Sequence, residues 1–254
     1  MSALDHRLDR TIVIEAPPAA VFKYFTDPAR WAAWWGAGST IDARPGGRVA
    51  VRYPDGTEAA GEVVEVTPPT RFVFTYGYVK GDPIAPGQSL VTIRLEPAAR
   101  GTRLHLTHAF ADAAVRDHHV QGWRYQLSVF ANVVADEIHL DAASLVDRWF
   151  GAWAEPDETA RAAALTAIAS ADLRVHDRFS CIEGRDELIP HITAAQRFMP
   201  GIRLQRSGDP RHCQGTVLAG WTAVGPDGAP RGQGTNVFTL GPDGRIEAVT
   251  GFWG

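Results

Sequence analysis

The sequence of 254 residues is poor in cysteine and lacks the pattern of a secretory leader. Its two cysteines, Cys181 and Cys213, lie far apart and outside any CxxC pair, so no disulfide framework is indicated. No segment with a basic, an apolar and then a small-residue part precedes them. We therefore expect a reduced, cytoplasmic protein.

Long apolar runs and runs of like charge are also missing. The longest stretch without Asp, Glu, Lys or Arg extends from His212 to Pro226, and a membrane-spanning helix needs at least about 18 such residues. The formal net charge is −4, and the charged residues are scattered along the chain. These features predict neither a membrane span nor a surface that follows nucleic-acid phosphates.

Several motifs that carry chemistry in other proteins do not occur. The sequence has no glycine-rich phosphate loop, no GxSxG and no HExxH, which argues against nucleotide use, a serine hydrolase and a zinc protease. His118 and His119 are adjacent in what is predicted to be a polar loop, and no third ligand is spaced to complete a zinc site. We predict no metal and no cofactor.

The first 140 residues combine short helices, strands and one long helix. Strand patterning continues from Ile41 to His108 between the turn signals RPGG, PDG, TPP and AARG, which predicts an antiparallel meander. A long helix is predicted from about Gln121 to His139, because apolar residues recur there at helical spacing. The other notable feature is a cluster of rings on one side of a helical turn, formed by Trp31, Trp34 and Trp35.

The pattern restarts near Leu140 to Ala143, which predicts a domain boundary there. Helices come first in the second half, and strands around GPDG turns come last. We therefore predict an α+β protein of two domains, residues 1–140 and 141–254.

Four segments of the first half occur together: APPAAVFKYFTDPARWAAWW, IDARPGG, DGTEAAGEVVEVTPPTRFVFTY, and GTRLHLTHAF followed by GWRYQLSVF. Through them, residues 8 to 138 resemble the START-like helix-grip superfamily, and within it the branch named for the activator of the Hsp90 ATPase. The resemblance implies a curved antiparallel sheet that grips a long C-terminal helix. It also implies a cavity between them that in many members holds an apolar small molecule.

The second half carries RWFGAW, LRVHDRFSCIEGRDELIPHI, MPG and GWTAVGPDGAPRGQGTNVFTLGPDGRIEAVTGF. With these segments, residues 144 to 253 resemble the SnoaL-like group of the NTF2-like superfamily, which includes polyketide cyclases and ketosteroid isomerase. The resemblance implies helices against a strongly bent sheet, forming a cone with an interior pocket. It also implies a homodimer through the C-terminal domain.

Candidate ligand-binding residues of the first domain are mostly aromatic. Strand parity places His108 on the apolar face with Leu104 and Leu106, either as a polar anchor for a ligand or as a core histidine. Aromatic rings either line a cavity or simply fill the core. The candidates taken as a set are Trp34, Trp35, Phe74, Tyr76, His108 and Trp123.

The isomerase resemblance implies three catalytic candidates in the second domain. The relatives use a carboxylate to move a proton beside a carbonyl, while two other groups donate hydrogen bonds to the enolate oxygen. The matching positions are Asp177 as base, Trp149 as a donor that cannot titrate, and Asn236 as an amide donor. Trp221 is expected to cover the same pocket, and His176 to face away from Asp177.

A purely structural interpretation of these residues remains open at this point. In it, Asp177 caps the turn that follows, Trp149 belongs to a helix core and Asn236 bonds to a neighbouring strand residue. The leading functional hypothesis is binding of a small hydrophobic or aromatic molecule in the two cavities. The alternatives are a cofactor-independent isomerase, cyclase or hydrolase with Asp177 as base, and an ATPase co-chaperone, which only the family name suggests.

Overall fold

The computed structural model describes residues 3–254, and the chain divides into two compact units, Met1–Ala135 and Asp136–Gly254. One unit contains a seven-stranded sheet and the other a six-stranded sheet, each with its own helices. The predicted α+β fold class is confirmed. In the part of the chain that the structure describes, no helix combines the length and apolar character needed to cross a membrane.

The N-terminal unit is built on an antiparallel sheet of order β1-β7-β6-β5-β4-β3-β2, as the predicted meander requires. Its elements are β1 (His6–Ile14), α1 (Pro18–Lys23), α2 (Pro28–Trp35), β2 (Thr40–Ile41), β3 (Arg48–Arg52), β4 (Glu58–Thr67), β5 (Arg71–Tyr78), β6 (Ser89–Ala98), β7 (Gly101–Phe110) and α3 (Ala113–Ile138). Leu104, Leu106 and His108 of β7 are all buried, because alternate residues of a strand face the same side.

Helix α2 positions the tryptophan cluster. The Asp27 carboxylate accepts hydrogen bonds from the amides of Ala29 and Arg30, and Pro28 occupies the first helical position. The helix ends at Gly36, whose φ of 128° suits glycine alone. The helix thus buries one face, which consists of Trp31, Trp34 and Trp35.

Helix α3 begins about two turns earlier than the sequence pattern predicts. The Asp112 carboxylate accepts a hydrogen bond from the Val115 amide at 2.9 Å, which caps the added turns. The prediction that His118 and His119 lie in a loop is therefore wrong, since both belong to α3. His119 is buried there, with 7% of its surface exposed.

The C-terminal unit has a sheet of order β10-β11-β12-β13-β8-β9, in which only the β13–β8 pair is parallel. Its elements are α4 (Ala142–Ala154), α5 (Glu158–Ile168), β8 (Ala169–His176), β9 (Cys181–Glu183), α6 (Arg185–Phe198), β10 (Arg203–Cys213), β11 (Thr216–Val224), β12 (Pro230–Leu240) and β13 (Ile246–Trp253). Both predicted GPDG turns are confirmed, and they close the β11–β12 and β12–β13 hairpins with Gly228 and Gly244 at positive φ.

Candidate functional sites

The N-terminal unit contains a cavity of about 730 Å³. Small-molecule sites in proteins typically enclose about 300 to 1,000 Å³ and are lined mainly by apolar and aromatic side chains. The walls of this cavity come from α2, β5, α3 and the segment after β3. They include the aromatic residues Trp34, Trp35, Tyr53, Tyr76, Tyr78, Trp123 and Tyr125.

The structure brings four of the six ligand-binding candidates of this unit to the cavity, namely Trp34, Trp35, Tyr76 and Trp123. Phe74 is not among the lining residues. It is 1% exposed and packs edge-on against the Trp31 ring, with centroids 5.7 Å apart. His108 does not line the cavity either, and it is fully buried.

His108 lies behind the cavity wall and takes part in a chain of hydrogen bonds. The donor and the acceptor of each bond can be assigned. The Trp123 indole N–H donates to His108 Nδ1 at 2.9 Å, so this nitrogen carries no proton. His108 Nε2 therefore donates to the Ser89 hydroxyl at 2.8 Å, and that hydroxyl donates to the Tyr76 carbonyl oxygen at 2.8 Å. Burial, together with the neighbouring His119, holds the pKa of His108 well below its usual value. The network thus fixes the Trp123 ring that faces the cavity.

Sequence reasoning missed several polar groups of the wall. Tyr53 and Tyr76 join their hydroxyls at 2.7 Å, and burial raises the pKa of both phenols, which keeps them neutral. Gln126 donates from its side-chain amide to the Trp34 carbonyl oxygen. His119 and Gln126 lie at helical spacing from Trp123, which places all three on one face of α3. This sequence signal applies to His119 only when the helix is known to start at Ala113.

The C-terminal unit contains a second, much smaller cavity of about 70 Å³. Asp177, Trp149, Asn236 and Trp221 all line it, so the structure places the three catalytic candidates and the expected covering residue around one space. Its volume is a tenth of that in the N-terminal unit, and it has room for only a few water molecules.

Asp177 and Asn236 converge above a glycine. Asn236 of β12 pairs with Gly251 of β13, and Asp177 follows the end of β8, the other neighbour of β13. A Cβ atom on Gly251 would lie 2.9 Å from Asp177 Cβ and 3.2 Å from Asn236 Oδ1, distances that force a displacement. Gly251 therefore provides the space in which the carboxylate and the amide approach each other.

The hydrogen bonds of both residues also satisfy the structural interpretation. Asp177 Oδ1 accepts from the Phe179 amide at 2.7 Å, which caps the turn, and Asn236 Oδ1 accepts from the Trp221 indole N–H at 3.0 Å. An indole N–H can only donate, so the oxygen of the Asn236 amide faces Trp221 and its NH2 group remains available as a donor. Trp149 is 1% exposed and belongs to the helix core as well as to the cavity wall.

Other side chains near this cavity have structural partners. His176 is exposed and points to Glu183, with Nε2 3.8 Å from the carboxylate, whereas Asp177 lines the cavity. Gln196 lines the cavity wall and is held on both sides. It donates to the Trp153 carbonyl oxygen at 2.9 Å and accepts from the buried Arg161 guanidinium at 3.1 Å. These bonds position the wall and leave Asp177 as the carboxylate that lines the cavity.

Solved structures similar to part of the chain include a candidate isomerase of the SnoaL-like family from Agrobacterium tumefaciens, 28% identical over 46% of this chain and 98% of that one, with a TM-score of 0.43. CalU16 from Micromonospora echinospora is 26% identical over 52% of this chain and 76% of its own, with a TM-score of 0.41. A search of the curated proteins found no match.

The family model for Activator of Hsp90 ATPase homolog 1-like proteins matches residues 15–135. These residues include strands β2 to β7, α2 and most of α3, and with them the elements that line the larger cavity. The resemblance expected from the motifs of the first half is thereby confirmed: residues 15–135 are similar to the Activator of Hsp90 ATPase homolog 1-like proteins.

Proposed function

We propose that the N-terminal unit binds a small, mostly apolar aromatic molecule in its cavity. The observation that carries this proposal is the cavity itself, about 730 Å³ of space bounded by seven aromatic side chains. Aromatic rings pack favourably against a flat apolar ligand in stacked and edge-on arrangements. In the wall, Trp35 lies nearly parallel to Tyr76 and edge-on to Trp123, with centroids 6.5 and 5.7 Å apart.

The rings of the wall are held in place before any ligand arrives. Trp34 donates from its indole to the Tyr24 carbonyl oxygen at 3.3 Å, and its own carbonyl accepts from Gln126. Trp123 is fixed through His108. A site that is already ordered loses less conformational entropy on binding, which favours affinity.

A substitution at Gly122 tests this proposal directly. Gly122 lies on α3 at the cavity wall, and no atom is within 4 Å of the position that a Cβ would take. Gly122→Leu therefore places a side chain in the open space without strain and with a gain in helix propensity. We expect the wild type to bind the fluorescent probe 1-aminoanthracene with one-to-one stoichiometry, and Gly122→Leu to weaken binding at least about tenfold.

Gly151→Leu is the matched control. Gly151 lies on α4 in the other unit, also with nothing within 4 Å of its Cβ position. This variant should bind the probe as the wild type does. Equal affinity in both glycine variants, or no binding by the wild type, would contradict the proposal.

We infer a second candidate function for the C-terminal unit: abstraction of a proton next to a carbonyl, with Asp177 as base. The observation that favours it is the convergence of the Asp177 carboxylate and the Asn236 amide over Gly251, within a cavity that Trp149 and Trp221 also line. The NH2 group of Asn236 would stabilise the developing enolate oxygen. Since the cavity is small, a substrate would need side chains of its wall to move, and Met199 is a flexible residue of that wall.

Deuterium exchange into cyclopentanone in D2O, followed by NMR, tests this reaction with a defined probe. We expect the wild type to accelerate exchange of the α-protons and Asp177→Asn to lose at least about 100-fold of that acceleration. Asp172→Asn is the control: this exposed carboxylate lies on β8, the strand that Asp177 follows, and the variant should retain the acceleration. An unchanged rate in Asp177→Asn, or no acceleration by the wild type, would argue against this function.

Two further expectations accompany these proposals. Cys181 and Cys213 are both exposed and unpaired, which supports a reducing compartment such as the cytoplasm. A homodimer through the C-terminal unit stays a prediction, and native mass spectrometry of the full chain would report its mass. The co-chaperone alternative has no support from a contact surface in the described residues, and we do not propose it.

A further inference from the structure

The aromatic side chains that line the larger cavity are all tryptophans or tyrosines. The six phenylalanines of the N-terminal unit, all within the described residues, are buried without lining it: Phe22, Phe25, Phe72, Phe74, Phe110 and Phe130. The face of an aromatic ring carries partial negative charge and attracts a cation, most strongly in tryptophan. The tyrosine hydroxyl adds an oxygen whose lone pairs have the same sign. The rings of the wall therefore favour an organic cation.

The charged side chains of the wall are acidic. Two carboxylates line the cavity, those of Asp55 and Asp82, and both residues are exposed. Among the described residues of the wall, none is an arginine or a lysine. The hydrogen bonds of Asp55 with Thr57 and the charge of Lys80 hold the pKa of Asp55 below its usual value, so this carboxylate is ionised at neutral pH.

The groups that could oppose a cation are few. Lys80 acts on Asp55 through its charge, but it is not one of the residues that line the cavity. His119 lines the cavity, and burial lowers its pKa, which keeps the ring neutral near pH 7. His118 lines it on an exposed residue. Because the ordinary histidine pKa is about 6.5, the measurements below are made at pH 7.5.

The position of the carboxylates also bears on the cost of binding a charge. An ammonium group buried deep among apolar side chains would lose its hydration, which costs several kcal/mol. Asp55 and Asp82 are exposed, so an ammonium group beside them keeps contact with water. An anion in the same cavity would lose hydration without gaining a cationic partner.

We propose that the ligand of the N-terminal unit is an organic cation, an arylalkylamine whose apolar body fills the cavity and whose ammonium group lies at the exposed part of the wall, beside Asp55 and Asp82. This inference deepens the proposed binding function and rests on it. Burial of the apolar body supplies affinity, while the ring faces and the two carboxylates select the charge of the ligand.

Three naphthalenes of similar shape test the charge selection: 2-(aminomethyl)naphthalene, a cation at pH 7.5, the neutral 2-naphthalenemethanol and the anion 2-naphthoate. Their affinities are measured by calorimetry at low ionic strength. We expect the wild type to bind the amine about tenfold more tightly than the alcohol. The carboxylate should bind at least about tenfold more weakly than the alcohol.

Four variants test the source of the selection, which is measured as the ratio of the affinities for the amine and the alcohol. Asp55→Asn and Asp82→Asn each remove one charge with little change of shape, and each should lower the ratio about threefold, because water screens exposed charges. Lys80→Gln removes the opposing charge and should raise the ratio about twofold. Asp172→Asn, an exposed carboxylate of the C-terminal unit, is the matched control and should keep the wild-type ratio.

Gly122→Leu tests where the amine binds. This variant fills the cavity, so it should weaken the amine and the alcohol by similar factors of at least about ten. If Gly122→Leu weakens only the alcohol, the amine binds to the outer surface of the protein and the inference is overturned.

The remaining outcomes separate this inference from the binding function beneath it. If the wild type binds the alcohol at least as tightly as the amine, the cavity binds aromatics without selecting a cation, and the inference is overturned. A ratio that neither aspartate variant lowers removes the carboxylates from the site, which also overturns it. If no naphthalene binds and the neutral probe 1-aminoanthracene also fails, the proposed function itself is wrong.

Discussion

Nδ1 of His108 accepts a hydrogen bond from the indole N–H of Trp123 at 2.9 Å, and this bond links a fully buried strand residue to a ring that lines the larger cavity. Because Trp123 can only donate, it determines which nitrogen of His108 carries the proton, and thereby the direction of the bonds to Ser89 and Tyr76. His108 is thus a positioning residue for the cavity wall rather than a residue that a ligand touches.

The first prediction concerns this network. His108→Leu should lower the free energy of unfolding by about 2–4 kcal/mol, because it leaves the Trp123 N–H without an acceptor in a buried site. Urea unfolding followed by tryptophan fluorescence measures the loss. His105→Leu, on the half-exposed face of the same strand, is the control and should cost about 1 kcal/mol or less. Equal losses in the two variants would show that the network contributes no more than a surface contact.

The second prediction concerns pH. Burial lowers the folded-state pKa of His119, so protonation favours the unfolded chain. The stability that depends on a neutral His119 ring is fully present above the ordinary histidine pKa of about 6.5, and it is lost as the pH falls below that value. We therefore expect the wild type to lose more stability between pH 7.5 and 5.5 than His119→Phe, in urea unfolding at both values. Because His119 also lowers the pKa of His108, the difference between the two proteins reports His119 together with its effect on that neighbour, and parallel pH profiles would refute the assignment.

The third prediction concerns Gly251. Gly251→Ala introduces a Cβ only 2.9 Å from that of Asp177, so it should displace the carboxylate and destabilise the C-terminal unit by about 1–3 kcal/mol. Exchange of cyclopentanone α-protons should fall at least about tenfold. Gly232→Ala is a matched control on β12, with nothing within 4 Å of its Cβ position, and should preserve both properties. If Gly251→Ala exchanges the cyclopentanone α-protons at the wild-type rate, the proposed role of Asp177 as base is contradicted.

Much of the fold follows from local patterns. The meander, the tryptophan face of α2 and the GPDG hairpins were all predicted, because residue alternation, helical spacing and turn glycines act over a few residues. The start of α3 could not be predicted in this way. Its first two turns carry Arg116, Asp117, His118 and His119 and show no apolar stripe, and only the Asp112 cap reveals them.

For the candidate sites, too, the sequence predicts relations within one element but not those between distant elements. The sequence by itself determined that His108 shares a face with Leu104 and Leu106, since alternation in a strand leaves no other side for it. It also determined, through helical spacing, that Trp34 and Trp35 lie on the buried face of α2. These are relations between residues close together in one element.

Only the tertiary structure decided which elements meet around a shared space. Tyr53 bonds to Tyr76 across 23 positions, and Asn236 approaches Asp177 only because β12 and β8 flank the same strand. That the buried Trp35 Nε1 and His119 Nε2 have no hydrogen-bond partner among residues 3–254 is likewise a property of packing, since hydrogen-bond satisfaction depends on atoms brought together from distant parts of the chain.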